Sequence, residues 1–220
     1  MSEKRISIGE CALCKGKFSK ASMTKHIQAC RRRQPANASR RTRKAFQLFV
    51  EGQYSKAYWM HLEVPAHASL FDLDGFLREI WLECCGHLSA FTIQGTTYTG
   101  GESQDDMREE ESMDVDLAQI LDQGTKFFYE YDFGSTTRLA LKVVGDLQVN
   151  SGSPAIRLLA RNDPPAIVCD SCGKPAAQVC SQCNEGWLCD DCATEHECGE
   201  EMLLPVVNSP RVGVCGYTGL

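Results

Sequence analysis

No stretch of this 220-residue chain approaches the roughly 20 consecutive apolar residues that a membrane-spanning helix needs. The opening MSEKRISIGECALC also lacks the apolar core of an export signal. A cytoplasmic protein without membrane contact is therefore expected. No convergent carboxylate cluster and no nucleophile motif stand out, so no catalytic residue is assigned and a non-enzyme is expected. Asp132-Phe133-Gly134 spells a kinase metal motif, but the Gly-rich loop and catalytic-loop motif that must accompany it are missing. Hydrophobic residues are not lacking: at 43% they suffice for a packed core and argue against a disordered chain.

Cysteine is in excess. Thirteen occur, crowded towards the two ends. A secreted disulfide framework would need an export signal and a more even spread. Four C-x2-C pairs are present, Cys11/Cys14, Cys169/Cys172, Cys180/Cys183 and Cys189/Cys192. Random placement would give roughly one such pair, so the spacing indicates zinc.

The N-terminal set reads Cys11-x2-Cys14-x11-His26-x3-Cys30. A C-x2-C knuckle aims two sulfurs at one ion, and ligands four apart share a helix face. Phe18 and Met23 fall where a small finger places its core residues, so a Cys-Cys-His-Cys variant of the ββα finger is expected. The C-terminal series supplies Cys169, Cys172, Cys180, Cys183, Cys189, Cys192, His196 and Cys198, enough for two tetrahedral ions. The pairs lie close together, which favours interleaving: pairs one and three on one ion, two and four on the other. Sequential pairing is one alternative, and Cys198 as a spare thiol is another. This spacing resembles the B-box and related cross-brace domains, which usually bind proteins. About three zinc ions are thus expected. Cys84, Cys85 and Cys215 are expected to take no part, with Cys84 packed in the core and His87 at a strand edge.

Charge is segregated. Residues 1–44 hold thirteen Lys/Arg and two acids, a net of +11; residues 45–220 hold ten and twenty-seven, a net of −17. Within the basic segment, Arg31, Arg32, Arg33, Arg40, Arg41, Arg43 and Lys44 stand without an acid among them. They are the candidate nucleic-acid contacts. The absence of aromatics there points to phosphate contacts rather than base stacking, and hence to weak sequence preference.

Composition divides the chain into a finger at 1–30, a basic linker at 31–44, a main domain at 45–160, a two-zinc module at 166–200 and a tail at 201–220. Asn162-Asp163-Pro164-Pro165 sets off the second module. In the main domain, 45–52 and 56–65 alternate as strands. Residues 69–86 have helical spacing through Leu70, Leu73, Leu77, Ile80, Trp81 and Cys84, with Ser69 placed to cap. Residues 88–99 form a third strand, 126–133 and 136–144 a closing hairpin, and the acidic stretch 102–116 a solvated loop. The order β-β-α-β-β-β predicts an α+β fold: a single mixed sheet with one main helix, β-grasp-like, flanked by small zinc-stabilised modules. Tyr129, Tyr131 and Phe133 are expected on one strand face, with Asp132 capping the turn at Gly134.

Tyr129-Glu130-Tyr131-Asp132-Phe133-Gly134-Ser135 and His87-Leu88-Ser89-Ala90-Phe91-Thr92-Ile93, with Val64-Pro65 and Ser69-Leu70 before the helix, resemble the Ri-plasmid ORF-three-like family. Its domain also occurs in passenger proteins of insertion sequences. The resemblance covers about residues 45–150. The family usually has Asp after the Gly, then a Trp and a His; here Ser135, Thr137 and Leu139 stand there, and Ser89 replaces a second His. The resemblance implies an association with DNA but no activity.

The expectation is a non-enzymatic zinc protein. Its basic N-terminal end would contact nucleic acid and its C-terminal module a protein partner. The alternative is a purely protein-interaction module; a DNA-processing enzyme is the third reading.

Overall fold

The N-terminal cysteine pair lies on a hairpin, β1 (Ile8–Cys11) and β2 (Lys17–Ser19), that leads into α1 (Lys20–Arg32). The computed structural model describes residues 7–32, 42–100, 110–150, 156–183 and 186–219. After the hairpin and helix come β3 (Thr42–Gly52), β4 (Trp59–Pro65) and α2 (Leu70–Leu77), which passes into one π-helical turn at Arg78–Leu82. Then follow β5 (Ser89–Ile93), β6 (Thr96–Thr99), β7 (Glu110–Ser112), α3 (Leu117–Ile120), β8 (Lys126–Tyr131), β9 (Thr137–Asn150) and β10 (Arg157–Asn162). The C-terminal module adds β11 (Gln178–Cys180), β12 (Trp187–Leu188), α4 (Asp190–Ala193) and β13 (Leu203–Pro205).

The β-grasp expectation is wrong. A β-grasp sheet joins its first and last strands in parallel. Here β3 pairs β9 antiparallel, Phe46 opposite Asp146. The ten-stranded sheet runs β2-β1-β10-β4-β3-β9-β8-β5-β6-β7. Among the described residues its one parallel pair is β6 with β7, at the edge. The protein is mostly sheet, and the single-helix description fails as well, because α1 and α2 cover opposite faces.

Strand alternation shows how. Phe46, Leu48 and Val50 of β3 and Met60, Leu62 and Val64 of β4 point to one face and pack with Leu70, Leu73, Leu77 and Trp81. Phe49 and Trp59 point to the other face and pack with Met23 and Ile27 of α1. With both faces covered, every residue of β4 is buried. The finger joins the sheet through β1, which pairs β10 with Gly9 opposite Asn162. A Cβ on Gly9 would overlap the Arg161 carbonyl oxygen and lie 2.7 Å from the Trp59 ring, so only glycine permits this approach.

Three local expectations also change. The capping box at Ser69 and Asp72 forms, but the α-helix stops at Leu77 and the π turn carries the chain to Leu82. The second half of the acidic stretch is not a solvated loop: Glu110–Ser112 is β7, and Met113 is fully buried. Phe133 does not share a face with Tyr129 and Tyr131. The left-handed Asp132 (φ 66°) ends the strand and turns Phe133 outward to 56% exposure. Asp132 does cap that turn, its Oδ1 accepting from the amides of Gly134 and Ser135 at 2.9 and 3.2 Å.

The tail packs against the main domain. Ser209, Arg211 and Tyr217 are buried, and Ser209 Oγ donates to the Trp81 carbonyl at 2.6 Å.

Candidate metal centres

The knuckle at the first set is built by backbone geometry. The Cys11 amide donates to the Gly16 carbonyl and the Lys15 amide to the Cys11 carbonyl, closing a tight loop around Cys14. A Cβ at Gly16 would meet the Phe18 ring at 2.8 Å. The Phe18 ring stacks on the His26 imidazole, centroids 3.6 Å apart, which fixes its direction. His26 Nε2 lies 3.4 Å from Cys14 Sγ, and Cys11, Cys14, His26 and Cys30 present ligand atoms within 4.8 Å of one another. Without an ion, burial first and the neighbouring thiols second push the Cys30 thiol up to about 11. A cation would reverse that.

In the C-terminal module the pairs interleave. Cys169, Cys172, Cys189 and Cys192 form one group, and Cys180, Cys183, His196 and Cys198 the other. The Sγ atoms of Cys172 and Cys189 are 3.5 Å apart, and Cys183 Sγ lies 3.1 Å from Cys198 Sγ and 3.5 Å from His196 Nε2. The module's small sheet has the order β12-β11-β13, with Cys180 at the end of β11 and Cys189 directly after β12. Backbone amides already favour the thiolate. Hydrogen bonding from the Cys189 backbone leads in drawing Cys169 down to about 6. At Cys180 burial opposes ionisation, yet the amides of Gln182 and Cys183 bring the thiol to about 6. Each of these three sets offers four Cys/His donors, the composition of closed tetrahedral zinc sites.

A fourth group lies where no metal role was expected. Cys84 and Cys85 follow the π turn, His87 precedes β5, and Cys215 arrives from the tail; their ligand atoms also fall within 4.8 Å of one another. No spacing rule could have found it, because Cys215 stands 130 residues from Cys85. Cys84 also contacts the core cluster, as its helical position suggested.

Around this group the family-marker residues form a polar network. Tyr129 and Ser89 both donate to Asp74 Oδ1, at 2.7 and 2.6 Å, while Arg78 Nε donates to Asp74 Oδ2 at 2.7 Å. Arg78 also reaches Glu83, which accepts from Tyr131. The Tyr131 ring carries a guanidinium within 5 Å of its centroid twice over, from Arg78 and from Arg211. Arg211 donates to Asp132 at 2.8 Å, the Ser135 carbonyl at 3.2 Å and Thr137 Oγ1 at 3.1 Å. That guanidinium, against a smaller burial effect, holds the Asp132 carboxyl down at about 2. Ser135 and Thr137 are two of the positions where the chain departs from the pattern it resembles, and both serve the tail's arginine.

The candidate nucleic-acid contacts do not form one linker. Arg31 and Arg32 end α1, while Arg43 and Lys44 lie in β3. Arg43 Nη1 sits 3.0 Å from His67 Nε2, and Lys44 is 3.4 Å from Asp146 and over the Phe46 ring. Arg33, Arg40 and Arg41 fall outside the described residues. Elsewhere in the basic segment, Lys17 pairs with Asp163 and Lys20 with Glu51. Among the described residues, no helix is long and apolar enough to cross a membrane.

The profile of a family described as "Plasmid pRiA4b ORF-3-like protein" matches residues 44–173. Comparison with curated proteins returns no match. Among solved structures, the chain is similar to a protein of unknown function from Methanosarcina mazei Go1, at 18% identity and a TM-score of 0.47, covering 52% of this chain and 67% of that one.

Proposed function

This chain belongs to the plasmid pRiA4b ORF-3-like family, and from that premise we propose that it is a non-enzymatic, zinc-stabilised adaptor. Its N-terminal end contacts nucleic acid and its C-terminal module contacts protein. The observation that carries the non-enzymatic half is the completeness of the finger and C-terminal ligand sets. Four Cys/His donors per ion leave no position for a reacting water, and thiolate-rich shells offset the Lewis acidity of zinc. Zinc in these sets would hold short segments that have little core of their own. The interleaved pairing supports the protein-contacting half by its likeness to cross-brace modules.

Support for the nucleic-acid half is the net of +11 over residues 1–44 against −17 elsewhere. Met23 and Ile27 seat α1 on the sheet, and the outward positions Ala21, Ser22, Lys25 and Gln28 carry no acid. Affinity would come from counterion release at phosphates. If about four to six side chains reach phosphates, log K falls against log salt with a slope of about −3 to −5. The test is a salt titration of the full chain against random-sequence DNA and RNA. Replacing Arg31, Arg32, Arg33, Arg40 and Arg41 with Ala should flatten the slope for all sequences alike; Arg43 and Lys44 are spared because they belong to β3. No binding to either at about 50 mM salt would leave the adaptor a protein-binding module alone.

A further inference from the structure

We propose that Cys84, Cys85, His87 and Cys215 form a fourth zinc site, an exchangeable clasp that fastens the C-terminal tail to the ORF-3-like domain. The donor set is three thiols and one imidazole, a standard structural zinc composition. Its spacing suits a tetrahedron. Zinc–sulfur bonds of about 2.3 Å place two sulfurs about 3.8 Å apart. Cys85 Sγ lies 3.8 Å from Cys215 Sγ and 3.6 Å from Cys84 Sγ. His87 Nε2 stands 3.0 Å from Cys85 Sγ and 3.2 Å from Cys215 Sγ. Zinc uptake would release the three thiol protons to solvent and leave the imidazole neutral, with nothing oxidised or reduced.

The surroundings suit an anionic site. Three thiolates exceed the charge of the ion by one, and Arg211 Nη2 lies 3.4 Å from Cys84 Sγ. Asp132 shares that guanidinium and its Oδ2 lies 3.5 Å from His87 Nε2, while Tyr131 Oη is 4.0 Å from Cys84 Sγ, so three further side chains touch the ligands. Arg211 and Cys215 belong to the same tail segment. Metal and guanidinium therefore grip the tail at two points, one at the surface and one in the core.

Exchangeability follows from burial. Each of the other sets contains at least one buried cysteine, whereas Cys85 and Cys215 are exposed and Cys84 and His87 only half-buried. A chelator or an oxidant would reach this ion first and free the tail while the other modules stay folded.

The experiment is zinc quantification on the full chain purified under reducing conditions, with cadmium-113 NMR of the cadmium-exchanged protein as a second readout. Wild type should carry about four ions and show four resonances. Cys85→Ser and Cys215→Ser should each carry about three, with the same single resonance lost. Cys215→His, which keeps a donor, should restore the fourth ion. Trypsin cleavage after Arg211 should accelerate in Cys215→Ser and in wild type under limited chelator. Two results would overturn the clasp: equal metal in wild type and the Cys85→Ser/Cys215→Ser double variant, or a Cys85–Cys215 disulfide in the metal-bearing protein. Because that double variant retains the other three sets, a total well below three in it would count against those sets and not against the clasp.

Discussion

A single buried imidazole shows how residue chemistry constrains the fold. His61 of β4 is fully buried between the sheet and α1. Its nearest polar neighbours are Thr24 Oγ1 at 3.4 Å and Gln47 Nε2 at 3.5 Å, neither of them an acid. Burial drives it down to about 3 from its ordinary 6.5. It is therefore neutral in the folded protein and protonated in the unfolded chain at mildly acidic pH. Stability from this group is fully present above about pH 6.5 and is lost progressively as pH falls towards 3. Between pH 6.5 and 5.5 the loss should be about 1 kcal/mol. Chemical denaturation over that range should show a stability loss in His61→Gln that is smaller than in wild type by about that amount. Equal losses would mean that His61 is solvated.

At the scale of an element, α2 is short and depends on its ends. Ser69 Oγ accepts from the Asp72 amide at 3.1 Å, and Asp72 Oδ2 accepts from the Ser69 amide at 2.8 Å. Ser69→Ala should cost about 1 kcal/mol by urea denaturation, and an unchanged midpoint would show that packing alone holds the helix. This cap was legible because capping is a local pattern over four residues. The finger and the interleaved cysteines were legible for the same reason: the first set spans only Cys11 to Cys30. Strand order was not. The antiparallel joining of β3 to β9 depends on contacts across roughly a hundred residues, which periodicity does not encode. Nor could alternation in β4 reveal its partner faces, since α1 and α2 bury both. The end of β8 was hidden too, because the left-handed φ at Asp132 reverses the direction that strand periodicity assigns to Phe133.

Across the whole molecule, metal sets would tie distant segments together. In the C-terminal module the interleaved groups make Cys169 and Cys189 partners on one ion, and Cys180 a ligand of the other. Cys169→Ser and Cys189→Ser should be strongly non-additive in zinc retention and module stability, whereas Cys169→Ser with Cys180→Ser should empty both sites. Coupling of Cys169 to Cys180 in place of Cys189 would restore the sequential arrangement. The tail reaches into the core through Arg211 and Tyr217, so its loss should be felt at the Tyr131-Asp132 turn. The central claim, that the finger and the C-terminal module are held by closed zinc sites, is tested most directly by elemental analysis. The sample is full-length Cys85→Ser/Cys215→Ser protein purified without added metal. The account predicts about three zinc ions per chain, one for each of the remaining Cys/His sets. A content of about one or below in soluble, folded protein would contradict it.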